Sequence, residues 1–225
     1  MEYLPYAFIP LAVWVFVCIC GIAPLVLLRY SNFEPVQNPI PIFEKSLEVV
    51  DAAWLQEVGF SGSHAIKPLG IEMSIYTDAE RTTVICVYFA GGQRVVDIVS
   101  ILPGRISITT SCSIDGPLFV SPSGMLFQAF ASRDAKELLR IHRNGVEYLT
   151  KQLNAELIVQ DDVSCEMRSF ITRQLNHQLR RPWRILAIPF RYAITRFTRK
   201  NLTVAEQEQR RIIDLESLRR QVKEP

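Results

Sequence analysis

Twenty-two consecutive residues without a charge, AFIPLAVWVFVCICGIAPLVLL at positions 7–28, stand between Glu2 and Arg29. At ~1.5 Å per residue a helix there spans roughly 33 Å, enough for a hydrocarbon core of about 30 Å and longer than the ~7–15 apolar residues of a signal peptide. The run predicts an N-terminal transmembrane anchor over residues 1–30. The first six residues carry no Lys or Arg, whereas Arg29 follows the run directly, so the positive-inside rule predicts a single-pass protein of the inner membrane with its bulk in the cytoplasm.

Pro35, Pro39 and Pro41 favour an extended stalk at 31–42. Phe43, Leu47, Val50, Trp54 and Val58 then recur at helical spacing, and Gly59 is a natural stop. Beyond Gly62 the period changes to two. Strands are expected at 71–76, 82–89, 95–101 and 106–114, with a Gly91-Gly92 connection, a Pro103-Gly104 turn and a closing Asp115-Gly116-Pro117. The last of them sets Ile106, Ile108, Thr110, Cys112 and Ile114 on one face and Ser107, Thr109, Ser111 and Ser113 on the other.

A short strand at 118–120 leads to a second helix with Ser132 as N-cap and a stripe of Ala135, Leu138, Leu139, His142, Val146, Leu149 and Leu153. The expected fold is α+β: after the anchor, a helix, an antiparallel meander of four or five strands and a helix, in two layers at 43–155.

Acids and bases are segregated behind a net charge of +2. Residues 167–205 hold no Asp or Glu, while the segment 156–200 contains the run RRPWRILAIPFRYAITRFTRK. On a helical wheel its Trp183, Leu186, Phe190, Ile194 and Phe197 share one arc, and Arg184, Arg191, Arg199 and Lys200 lie outside it. These nine residues predict a membrane interface on anionic lipid of the inner leaflet, the alternative being that the arc packs on the soluble domain with the arginines as a solvated face, and Pro189 predicts a break within the helix. A capping box at Thr203 to Glu206 opens a charged helix in 201–225, whose residues 203–222 suit a protein partner or self-association.

No catalytic signature occurs. The five cysteines form no CxxC pair, the three histidines show no metal-ligand spacing, and Gly-x-Ser-x-Gly and phosphate-loop motifs are absent, so no enzyme activity, cofactor, metal or nucleic acid is expected. His142 on an apolar stripe reads as a packed core residue. The run WLxxxGF at Trp54 to Phe60, the strands after it and the stretch 106–121 with its Asp-Gly turn resemble uncharacterised, singly anchored bacterial proteins of the planctomycete type. That resemblance implies no activity.

Two functions follow from these features. The first is a membrane-tethered binding or scaffold module with a second, electrostatic membrane contact through the basic amphipathic segment. The alternative is a small-molecule or lipid-binding domain with a pocket between sheet and helices, marked by polar groups such as Tyr76, Tyr88, Thr110 and His142.

Overall fold

In the computed structural model, residues 4–90, 92–112, 120–132, 134–181 and 183–223 are described. The chain is α+β, built on a six-stranded mixed sheet in the order β1 to β6. The strands are β1 (Phe60–Ile66), β2 (Met73–Asp78), β3 (Thr83–Ala90), β4 (Gln93–Leu102), β5 (Ile106–Ser111) and β6 (Met125–Ala129). Neighbours pair antiparallel from β1 to β5, and β6 joins β5 in parallel, Ile108 opposite Leu126. Where an antiparallel meander of four or five strands was expected, the sheet has six: β1 is added at one end, and β6, in parallel, at the other. The Asp115-Gly116-Pro117 turn, most of the 118–120 strand and Gly91 lie outside the described residues.

Helices cover both faces, which makes three layers where two were expected. On one face lie α2 (Ile40–Leu47), α3 (Ala52–Glu57) and α4 (Ala135–Leu153). Trp54, Leu55, Leu138 and Leu139 close there on Tyr76, Ile85, Val96 and Ile98. The single helix expected across 43–58 is broken, because Asp51 turns extended and its side chain accepts from the Trp54 amide, capping α3. Asp134, not Ser132, caps α4, and Asn154 ends it in the left-handed conformation.

The opposite face is roofed by α5 (Val163–Leu179), with Val163, Met167 and Ile171 near Met73, Ile75, Val84 and Cys86.

The N-terminal run does form a helix, α1 (Leu4–Arg29), but among the described residues no helix is long and apolar enough to cross a membrane. This overturns the single-pass anchor and the inner-membrane, cytoplasm-facing placement built on it. Instead, α1 packs against α5, α6 (Trp183–Leu186) and α7 (Ile188–Thr198), burying Cys18 and setting the Trp14 ring 4.5 Å from that of Phe190. Apolar content alone does not say whether a helix faces lipid or protein.

The stalk is corrected for a similar reason. Phe33 is buried, Val36 donates to the Ala65 carbonyl at 2.8 Å, and Pro35 bridges Ile66, so the segment lies along the outer edge of β1 instead of spacing a domain away from anything. Pro41 falls inside the first turn of α2, where a missing N–H costs nothing.

At the other edge, Lys200 bridges Ala129, and the Asn201 amide donates to the Ala129 carbonyl at 2.7 Å. The capping box of α8 (Val204–Gln209) forms as expected, with Thr203 and Glu206 reciprocally bonded. The region beyond it is two helices, α8 and α9 (Leu215–Lys223), and their apolar residues Val204 and Leu218 join Leu102, Ile106, Ile108 and Leu149 in the core. Val204, Gln207 and Leu218 of this region are thus used within the chain.

Pro103-Gly104 makes the β4–β5 turn with Gly104 at φ +71°, and a Cβ there would stand 2.3 Å from the backbone oxygen of Gln221 in α9. Gly104→Ala is expected to cost about 1–3 kcal/mol, since it meets both a left-handed φ and a backbone contact that must give. Denaturant unfolding checks it; a change under about 0.5 kcal/mol contradicts the contact.

Candidate functional site

The side-chain alternation of β3, β4 and β5 sends one set of residues to α4 and the other to α5. On β5 the greasy set, Ile106 and Ile108, is fully buried under α4. The hydroxyl set, Ser107, Thr109 and Ser111, turns toward α5, where Ser107 and Thr109 line a cavity of about 250 Å³. Its walls are mostly apolar: Val84, Cys86 and Val99 from the sheet, Met167, Phe170 and Ile171 from α5, with Leu28 of α1 and Phe33 on the side of the N-terminal segment; Gln160 and Glu166 also line it.

The register fixes the polar groups within this space. Asp97 pairs with Cys86 on β3 and with Ser111 on β5, and Tyr88 lies on the same face of β3. The Tyr88 hydroxyl donates to Asp97 Oδ2 at 2.8 Å. Burial pushes the Asp97 carboxyl upward, an effect opposed by the hydroxyls of Ser111 and Tyr88. Burial likewise raises Tyr88 well above its usual value, and the neighbouring Asp97 adds to it.

Ser107 sits four residues farther along the sheet, opposite Ile101, with its buried hydroxyl unpartnered among the described residues. At ~3.3 Å per residue the two polar positions are roughly 13 Å apart, separated by Val99 and Thr109. The cavity is a largely apolar slot with a hydrogen-bonding group at each of these positions, Thr109 between them, and Gln160 and Glu166 also in its lining.

The polar residues expected to mark a pocket divide between the two faces. Tyr88 is in the cavity, but Tyr76, Thr110 and His142 lie in the filled core on the other side. The Tyr76 hydroxyl bonds Ser46, and His142 is enclosed by Ser100 at 3.0 Å from Nε2 and Thr110 at 2.9 Å from Nδ1. Burial, and secondarily Arg143, holds His142 down to about 3, so it is neutral at physiological pH. Thr110 also accepts from Gln128 Nε2 at 2.7 Å, and Gln128 Oε1 accepts from the Val204 amide at 2.8 Å. This relay is structural: every ring nitrogen already has a partner.

A wider, open groove of about 890 Å³ runs beside β1, with His64, Asp78, Asp162 and Cys165 in its walls. Its polar groups serve local structure. Asp78 accepts from the Thr82 and Thr83 amides, Asp162 caps α5, and His64 contacts Ser63 and Ser164. Among the described residues no group of His, Cys, Asp and Glu is arranged to hold a metal ion.

No family model, curated protein or solved structure matches this chain. The physical site is therefore the ground for a functional reading.

Of the residues expected at a membrane interface, Trp183, Leu186, Phe190, Ile194 and Phe197 are exposed, Phe197 by 82 %. The segment does break, at Ala187 between α6 and α7, with Pro189 in the first turn of α7. Arg184 contacts the His177 ring, Lys200 is at the β6 edge, and Arg191 and Arg199 turn inward toward the 120–124 loop. Arg191 and Arg199 are half-buried and, with Arg184, border the same groove as Trp183, Phe190 and Ile194.

Sequence reasoning missed Asp97, Ser107 and Thr109 as site residues. A signal for the first was present: Asp97 is the one charge inside VVDIVSI, on a strand otherwise fit for burial on both faces.

Proposed function

We propose that this chain is a non-catalytic binding domain for a small, slender apolar molecule with a neutral hydrogen-bonding head, held between the sheet and α5. The observation that carries this reading is a largely apolar slot with few polar groups, among them Asp97 bonded to Tyr88, and Ser107, whose hydroxyl has no partner among the described residues. Ligand sites of this sort join apolar walls to a small number of orienting polar groups. At about 250 Å³ the space lies below the ~300–1,000 Å³ of typical drug-sized sites, which favours a medium-chain molecule.

The head chemistry follows from Asp97. Its carboxyl oxygens accept hydrogen bonds, as Oδ2 does from Tyr88, and the hydroxyl of an alcohol supplies a donor. An anionic head would meet a buried acid and pay a desolvation cost without a cation to offset it. Cys86, also in the wall, has its thiol raised by burial and behaves as an apolar group.

Thermal unfolding with 1-octanol and its homologues tests this. Saturating ligand at about 100 Kd is expected to stabilise the protein by about 2.7 kcal/mol. Val99→Trp, which fills the middle of the slot, is expected to abolish the shift while the variant still unfolds cooperatively. An equal shift in the variant, or none across the homologous series, overturns the reading.

A further inference from the structure

A second recess, of about 340 Å³, lies between α7, the 120–124 loop and the start of α9, and it continues into an apolar groove of about 650 Å³ along α6 and α7. Val120, Arg191, Arg199 and Ile212 line both, so the two arginines stand at the seam. On one side of them are the hydroxyl residues Ser121, Ser123 and Ser217; on the other are Trp183, Phe190 and Ile194.

The charges here are crowded. Burial lowers both guanidinium groups from their usual value, and Arg191 is lowered further by Arg199 and Arg184. Arg199 forms no ion pair with a described residue. Among the described residues that line the recess the one carboxylate is Asp214, which is occupied in starting α9: its Oδ1 accepts from the Glu216 amide at 3.0 Å and the Ser217 amide at 3.3 Å. Half-buried cations that repel one another are stabilised by an anion, and guanidinium forks suit phosphate oxygens.

We propose that this seam binds an anionic amphiphile, its phosphate head between Arg191 and Arg199 and its aliphatic tail along Phe190 and Ile194. The head gains two cations and hydroxyl donors from Ser121 and Ser123. The tail covers part of an apolar surface that is otherwise open, since Phe190 and Ile194 are both more than 60 % exposed. Apart from Phe127, the recess shares no residue with the slot over β3 to β5, and the groove shares none, so the two sites are separable by mutation.

Titration calorimetry of the full chain with dodecyl phosphate, kept below its micelle concentration, is the test, with inorganic phosphate as the head alone. Dodecyl phosphate is expected to bind at least tenfold more tightly than inorganic phosphate. Arg199→Gln is expected to weaken it tenfold or more, Arg199→Lys less, and Phe190→Ser to weaken it without changing the response to inorganic phosphate. Val99→Trp should leave it unaltered. Absence of binding, equal affinity for inorganic phosphate, indifference to Arg199→Gln, or loss in Val99→Trp would each overturn the proposal, the last by assigning the amphiphile to the other cavity.

Discussion

Acidification from pH 6.5 to about pH 4.5 is expected to remove roughly 2.3 kcal/mol of folding stability through His142 alone. The sign follows from the two states. Unfolded, the imidazole takes its proton near 6.5; folded, enclosed between Ser100 and Thr110, it resists until about 3. Below pH 6.5 the unfolded chain therefore binds more protons, and stability falls by about 1.4 kcal/mol per pH unit until the folded value is reached. Above pH 6.5 this contribution is fully present.

Urea midpoints at several pH values measure the effect. Other groups titrate in the same range, and Glu72 and Glu206, both lowered, add their own losses at the acid end. The decisive quantity is the difference from His142→Gln, which keeps a polar group but cannot charge. The variant is expected to start lower and to lose less on acidification, so that the two curves converge. Parallel curves would mean that the ring is not held neutral by burial.

Gln128→Leu is expected to cost about 2–4 kcal/mol and to loosen α8. Gln128 is completely buried, donates to Thr110 and accepts from the Val204 amide, so it ties β5, β6 and the C-terminal helices together. Leucine fills the space but leaves the Val204 N–H without an acceptor and removes one donor from Thr110. An unmet buried donor costs about 1–3 kcal/mol, and a second group is disturbed. Equilibrium unfolding gives the magnitude, and amide exchange at Val204 gives the place. A loss below about 0.5 kcal/mol, or unchanged exchange there, would contradict the role assigned to the relay.

Much of the sheet was legible because its middle strands announce themselves. TTVICVYF and VVDIVSI are β-branched runs joined by a glycine turn, and the alternation on β5 separated two faces that the structure uses differently. The α4 stripe, the Thr203 cap and the break before Pro189 were visible for equally local reasons.

What escaped was non-local. FSGSHAI of β1 has small residues and no alternation, and MLFQA of β6 is five residues that pair in parallel with a strand many positions earlier. The N-terminal run carried the largest error. An uncharged helix fits a bilayer or a protein surface equally well, and the contacts of α1 with α5 to α7 are beyond what periodicity can report. The cavity was half legible: a hydroxyl face on a buried strand and a lone Asp were both present in the chain, but only the register shows that they share one side of the sheet.

The segments laid along β1 and β6 have a consequence for what this chain can join. An outermost strand with bare amides invites another strand to continue the sheet, whether from a peptide or from a neighbouring copy. Here Val36 takes the Ala65 carbonyl and Asn201 takes that of Ala129, one lock from before the sheet in the chain and one from after it. Recognition by strand addition is obstructed at these two positions.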